Sequence, residues 1–146
     1  MADPKAATNG QREPAATPGQ SAHLDYQMVL TTPGNVSTTI TLGPTLNFMP
    51  GRALRIAVSF DNQTPQILTV VPEKYDAQNG NRDWEESVRN NARFVTTTHT
   101  IAAAGAHTLR IWMIDPGVVV ERIVVDTPAS RRAASYLGPE ESARSR

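Results

Sequence analysis

The chain has 146 residues, with 14 basic and 14 acidic side chains, three histidines and no cysteine. An even charge without a basic stripe leaves no electrostatic footprint for nucleic acid, and the missing thiols exclude disulfides, thiolate metal sites and a cysteine nucleophile. No apolar run approaches the roughly 18 residues of a membrane-spanning helix, and the amino terminus shows no charged-then-apolar leader, so a soluble chain with no export signal and no membrane partner is expected, its compartment left open.

Residues 1–20 are rich in Ala, Pro, Thr, Gly and Gln and have no large apolar side chain after Met1. Such a segment buries too little to offset its ordering entropy and reads as a flexible arm, whose removal should leave stability almost unchanged. One sandwich-sized domain is expected over residues 21–142, and a frayed tail over 143–146. A weak strand is expected at 24–30, then a turn at Thr32-Pro33-Gly34-Asn35, with Leu30 and Val36 facing each other as a hairpin. Val36, Thr38, Ile40 and Leu42 alternate with Ser37, Thr39 and Thr41, a period of two in β-branched residues. After Met49-Pro50-Gly51, the side chains Leu54, Ile56, Val58 and Phe60 point one way and Arg55, Ala57, Ser59 and Asp61 the other.

The turn Asp61-Asn62-Gln63 leads to a weaker strand at 66–71. Tyr75 follows in a polar loop, and one helix opens at Asp83 as N-cap, with acidic residues in its first turn. Trp84, Val88 and Asn91 or Ala92 share its expected buried face, and Arg89 and Arg93 close it. A strand at 94–101, the turn Ala104-Gly105 and a strand at 108–113 come next, with Trp112 opposite Leu109, Ile111 and Met113. Asp115-Pro116-Gly117 suits a tight turn in which Asp115 bonds the turn backbone, Pro116 sets φ and Gly117 takes a positive φ. Residues 118–125 are almost wholly apolar, as for a strand covered on both faces. The sum is an all-β, jelly-roll-like β-sandwich with one short helical insert.

Catalytic chemistry finds little footing in this pattern. No two of His23, His99 and His107 have metal-pair spacing, and His99 and His107 are expected to bond neighbouring groups, so no metal or cofactor is anticipated. Glycoside hydrolysis needs two carboxyl groups across one bond, and Asp61, Asp83, Glu85, Glu86, Asp115 and Glu121 form no such pair in sequence. Ser59 and Ser87 lack the Gly-x-Ser-x-Gly setting of a nucleophile elbow. Aromatic rings are few, and burial is their commonest role. Trp112, Tyr75, Trp84 and Tyr136 are the rings that would stack on a sugar if exposed, with Arg55 or Arg110 pairing a uronate.

Four stretches together carry a resemblance: Arg55-Ile56-Ala57-Val58-Ser59-Phe60-Asp61 with Pro65-Gln66; Trp84-x-x-x-Val88-x-x-Asn91; Gly105-Ala106-His107-Thr108-Leu109-Arg110-Ile111 running through Trp112 to Asp115-Pro116-Gly117-Val118-Val119; and Ser135-Tyr136-Leu137-Gly138-Pro139 with Glu141-Ser142. In that order they resemble the carboxy-terminal domain of family-115 glycoside hydrolases, the xylan α-glucuronidases. The resemblance implies a non-catalytic accessory β-sandwich that stabilises or dimerises such an enzyme, its partners being the enzyme's catalytic domains or a second copy. It carries over no catalytic residue. The alternative is a module that binds glucuronic-acid-decorated xylan through Tyr75, Trp84, Trp112, Arg55 and Arg110.

Overall fold

The alternating apolar runs become seven strands, β1 (His23–Leu30), β2 (Gly34–Leu42), β3 (Leu54–Phe60), β4 (Gln66–Val71), β5 (Arg93–Ile101), β6 (Gly105–Met113) and β7 (Val120–Asp126), with one helix, α1 (Arg82–Asn90), between β4 and β5. The computed structural model describes residues 15–49 and 51–130. Two antiparallel sheets form, sheet A in the order β1-β6-β3-β4 and sheet B in the order β5-β2-β7. The all-β sandwich with one short helix is thus the fold of the chain.

Between the sheets lie Leu54, Ile56, Val58 and Phe60 of β3, Leu109 and Ile111 of β6, and Val36, Ile40 and Leu42 of β2. These are the apolar halves of the sequence alternations, and each buried large side chain contributes about 1.5–3 kcal/mol. Thr38, Thr97 and His99 share the inner face of sheet B and are also buried. His99 stands edge-on to Phe60, with ring centroids 5.2 Å apart.

Four local expectations give way in the folded chain. Leu30 and Val36 do not face each other in a hairpin, because β1 pairs with β6 while β2 pairs with β5 and β7. The Pro33-Gly34 turn carries the chain from one sheet to the other, and Gly34 sits at φ +124°. The apolar run beginning at Val118 is not covered on both faces, since Val119 is 61% exposed and no residue of β7 is buried, and β7 is an edge strand bonded to β2. The helix starts two residues earlier than expected: Asn81, not Asp83, is the N-cap, its side chain accepting from the Asp83 N–H at 3.2 Å. Ser87 is the buried residue of α1, whereas Val88 is 56% exposed.

The described part of the expected arm, residues 15–20, lies beside sheet A. Ala16 N donates to Ile114 O, and Met113 N donates to Ala22 O, both at 2.9 Å, with a turn closed on Thr17 O between them. Residues 1–14 of the expected arm and the tail, with Tyr136, lie outside the described residues. No described helix is long and apolar enough to cross a membrane.

Candidate functional site

The strand alternation that sends Leu54, Ile56 and Val58 into the core sends Arg55, Ala57 and Ser59 to the outer face of sheet A. Register then completes that face: Ala57 lies opposite Trp112 and Ser59 opposite Arg110 on β6, and Trp112 and Arg110 lie opposite His23 and Asp25 on β1. Three of the expected sugar contacts, Arg55, Arg110 and Trp112, are therefore brought to one surface.

Each of the three is already engaged. Trp112 is 8% exposed. Its indole N–H donates to Ser59 Oγ at 2.9 Å, and its ring lies 4.4 Å from the His23 ring, centroid to centroid. It packs with Ala57 and Ile114, and the strand end that carries it is bonded to Ala16 and Ala22. Arg110 reaches Asp25 at 3.3 Å and donates to the Asp61 carbonyl at 2.7 Å. Arg55 Nε donates to Asp115 Oδ2 at 2.9 Å, while Arg52 Nε sits 2.9 Å from the other oxygen.

The role of Asp115 differs from the turn-capping expected of it. Its side chain is wholly buried between the two arginines, and its own N–H donates to Arg55 O. A buried carboxylate needs partners, and two guanidinium groups supply them. Gly117 does take the positive φ expected of it, +83°. A side chain there would also meet the Phe48 ring, because an added Cβ falls 2.3 Å from Cζ.

Asp61 forms a second hub at the far end of β3. It occupies a left-handed conformation, φ 48°, which aspartate tolerates through local hydrogen bonding. Its carboxylate accepts from Thr108 N at 2.8 Å and from His107 Nδ1 at 2.7 Å, and His107 Nε2 donates to Ala103 O at 3.0 Å. Burial alone would raise the Asp61 carboxyl, but the bonds from His107 and Thr108 outweigh it and hold the group below its ordinary value. The same bond to Asp61, then that to Ala103, lifts the His107 imidazole above its ordinary value. His99 moves the other way, lowered by burial. Both histidines thus bond neighbouring groups, as the sequence suggests, with Gln63 Oε1 at 3.1 Å for His99.

Tyr75 and Trp84 are carried to a different place, around α1. A shallow cleft of about 340 Å³ lies between α1, β4 and β5, lined by Thr69, Val70, Asp83, Glu86 and Arg93 among others. Arg93, 7% exposed, holds both oxygens of Asp83, at 3.2 and 2.9 Å, and donates to Val70 O. Its guanidinium carbon lies 4.6 Å from the centre of the Tyr75 ring, a cation–π contact that helps hold the buried charge. Trp84 is half-buried in the first turn of α1. The sequence marks Arg93 only as a helix-closing cation. Its role depends on Asp83 standing ten residues earlier, across a helix, which no local spacing signals. Among the described residues, no three metal-ligating side chains converge.

Residues 4–141 match the family model described as the glycosyl hydrolase family 115 C-terminal domain. A solved structure described as a novel family GH115 4-O-methyl-α-glucuronidase with specificity for decorated arabinogalactans is similar in fold, with a TM-score of 0.61 and 23% identity. The similarity covers 71% of this chain and 13% of that one, so the chain spans a small part of that enzyme's length. No curated protein matches.

Proposed function

Because this chain belongs to the glycosyl hydrolase family 115 C-terminal domain family, we propose that it is a non-catalytic accessory β-sandwich that stabilises or pairs a glucuronidase by protein contact. The observation that carries this reading is the engagement, by the fold itself, of five of the six candidate carboxylates, all but Glu121. Asp115 is held by Arg52 and Arg55, Asp83 by Arg93, Asp61 by His107 and Thr108, Glu86 by Arg82, and Glu85 accepts from Gly80 N. An acid/base pair for glycoside hydrolysis must instead face a substrate from two sides. The purified chain should release no glucuronic acid from glucuronoxylan, from short aldouronic acids or from decorated arabinogalactan. Release that survives rigorous purification and disappears on replacing one of these carboxylates would refute the reading.

A second reading, binding of uronate-bearing glycan, draws on the placement of Arg55, Arg110 and Trp112 on one face of sheet A. It requires the His23 ring to leave Trp112 and the arginines to exchange their carboxylate partners for a uronate. Affinity electrophoresis in glucuronoxylan separates the two: retardation that is lost in Trp112→Ala supports glycan binding, and unaltered mobility supports protein contact.

A further inference from the structure

Sheet B turns three polar side chains into the core. Thr38 is fully buried, Thr97 is 3% exposed and His99 2%. Thr38 Oγ1, Thr97 Oγ1 and His99 Nε2 have no hydrogen-bond partner among the described residues. The outward threonines one step along behave differently: Thr39 and Thr96 face each other, and their hydroxyls bond at 3.3 Å. A buried polar atom without a partner bears its full desolvation cost, so three on one face call for a physical account.

Register sets the three side by side. Thr38 lies directly opposite Thr97, which puts their Cβ atoms about 5 Å apart. His99 is the next inward residue along β5, about 7 Å from Thr97, and stands opposite Val36. Their inward neighbours are apolar: Val36 and Ile40 flank Thr38 along β2, Val95 flanks Thr97, and Phe60 of sheet A stands against the His99 ring.

The other ring nitrogen of His99 fixes what Nε2 can do. Gln63 uses its amide N–H on Thr100 O at 2.8 Å, so its oxygen is the atom turned to His99 Nδ1, at 3.1 Å. By this hydrogen-bond pattern Nδ1 carries the proton and Nε2 is a bare acceptor. Burial holds the imidazole below its ordinary value, which favours that neutral form. Whatever joins the three atoms has to donate to Nε2, exchange bonds with two hydroxyls, be small and carry no charge. β2 has no ionisable side chain, and the one ionised side chain of β5, Arg93, is held by Asp83 at 3.2 and 2.9 Å. Water meets each of these conditions. We propose that Thr38 Oγ1, Thr97 Oγ1 and His99 Nε2 together hold one internal water molecule between the sheets. The water donates to Nε2 and to one hydroxyl and accepts from the other, three bonds being the usual complement of a buried water. It ties β2 to β5 inside the sandwich and is independent of what the outer surfaces bind.

Valine has the shape of threonine without its hydroxyl, so two substitutions read the site by the sign of their effect. Thr38→Val and Thr97→Val should each lower the urea midpoint of the full chain at constant slope, the folding equilibrium constant falling about fivefold for one hydrogen bond lost. The double variant should lose less than the product of the two, since both remove the same water. A midpoint that rises on either substitution means a hydroxyl with nothing bound to it, and a double variant that loses the full product means separate partners. Either result overturns the inference. A crystal structure of the full chain gives the direct reading. A water oxygen within hydrogen-bond reach of all three atoms is expected, and the chain carrying both valines should lack it. Density that reaches only one or two of them, or hydroxyls turned onto backbone carbonyls, overturns the inference as well.

Discussion

Asp115 and Gly117 sit two residues apart in one turn and are held by different physics. Gly117→Val forces a β-branched residue to φ +83° and pushes on Phe48. Because Phe48 is 52% exposed and its ring has room to swing away, the expected loss is about 2 kcal/mol, mainly backbone strain. Asp115→Ala strands Arg52 and Arg55, and breaking a buried ion pair costs about 3–5 kcal/mol. Both arginines keep some solvent access, so about 3 kcal/mol is expected. Urea denaturation of the two variants should therefore rank Asp115→Ala as the more damaging, the reverse of what turn chemistry alone suggests. His107 offers a pH test. Its folded value lies above the ordinary 6.5, so its stabilisation is fully present below that value and is lost as pH rises through the folded value. The stability gap between the parent and His107→Gln should then be widest under mildly acidic conditions and shrink toward alkaline pH. A gap that instead grows as pH rises would contradict the Asp61–His107 ion pair.

At the scale of elements, α1 shows how capping and tertiary contact divide the work. Asn81 receives the helix start through Asp83 N and ties its amide to Asp76 O at 2.7 Å. Asn81→Ala should cost about 1 kcal/mol, read from the shift in denaturation midpoint at constant slope. The helix closes at Asn91, φ 47°, whose N–H bonds back to Val88 O. An αL residue is a common helix end, and asparagine adopts it with little penalty. The exposure of Val88 follows from the sheet beneath: α1 rests on β5 through Ser87 and the Asp83–Arg93 pair, so the apolar face suggested by Trp84 and Val88 is not the face that docks.

For the whole molecule, the amino-terminal approach to β6 links chain path to the outer face of sheet A. Residues 16 and 22 bond the end of β6 while His23 covers Trp112. Removing residues 1–22 from a Trp84→Phe chain should shift Trp112 emission to longer wavelength and lower the melting temperature by several degrees, as expected when about 1–2 kcal/mol is lost from a domain of this size. An unshifted spectrum would mean that the indole is shielded by the sheet alone.

Much of this protein is legible from its residues without coordinates. The period of two at Val36–Leu42 and Leu54–Phe60 specifies strands and their inward faces, because side chains of an extended chain must alternate. The positive φ at Gly117 and Gly51 follows from turn sequences that only glycine adopts easily. The motifs from Arg55 through Ser142 carry the family resemblance, since they record a domain as a whole. Which strands pair is another matter. Leu30 and Val36 are close in sequence yet lie in different sheets, and β7 reads as a buried strand yet forms an edge, because strand order depends on contacts summed over the entire core. The partners of Asp115, Arg93 and Asp61 were likewise decided by tertiary structure. A charged side chain shows in the sequence that it needs a counterpart, but only the folded chain brings residues 52, 55 and 115 within reach of one another.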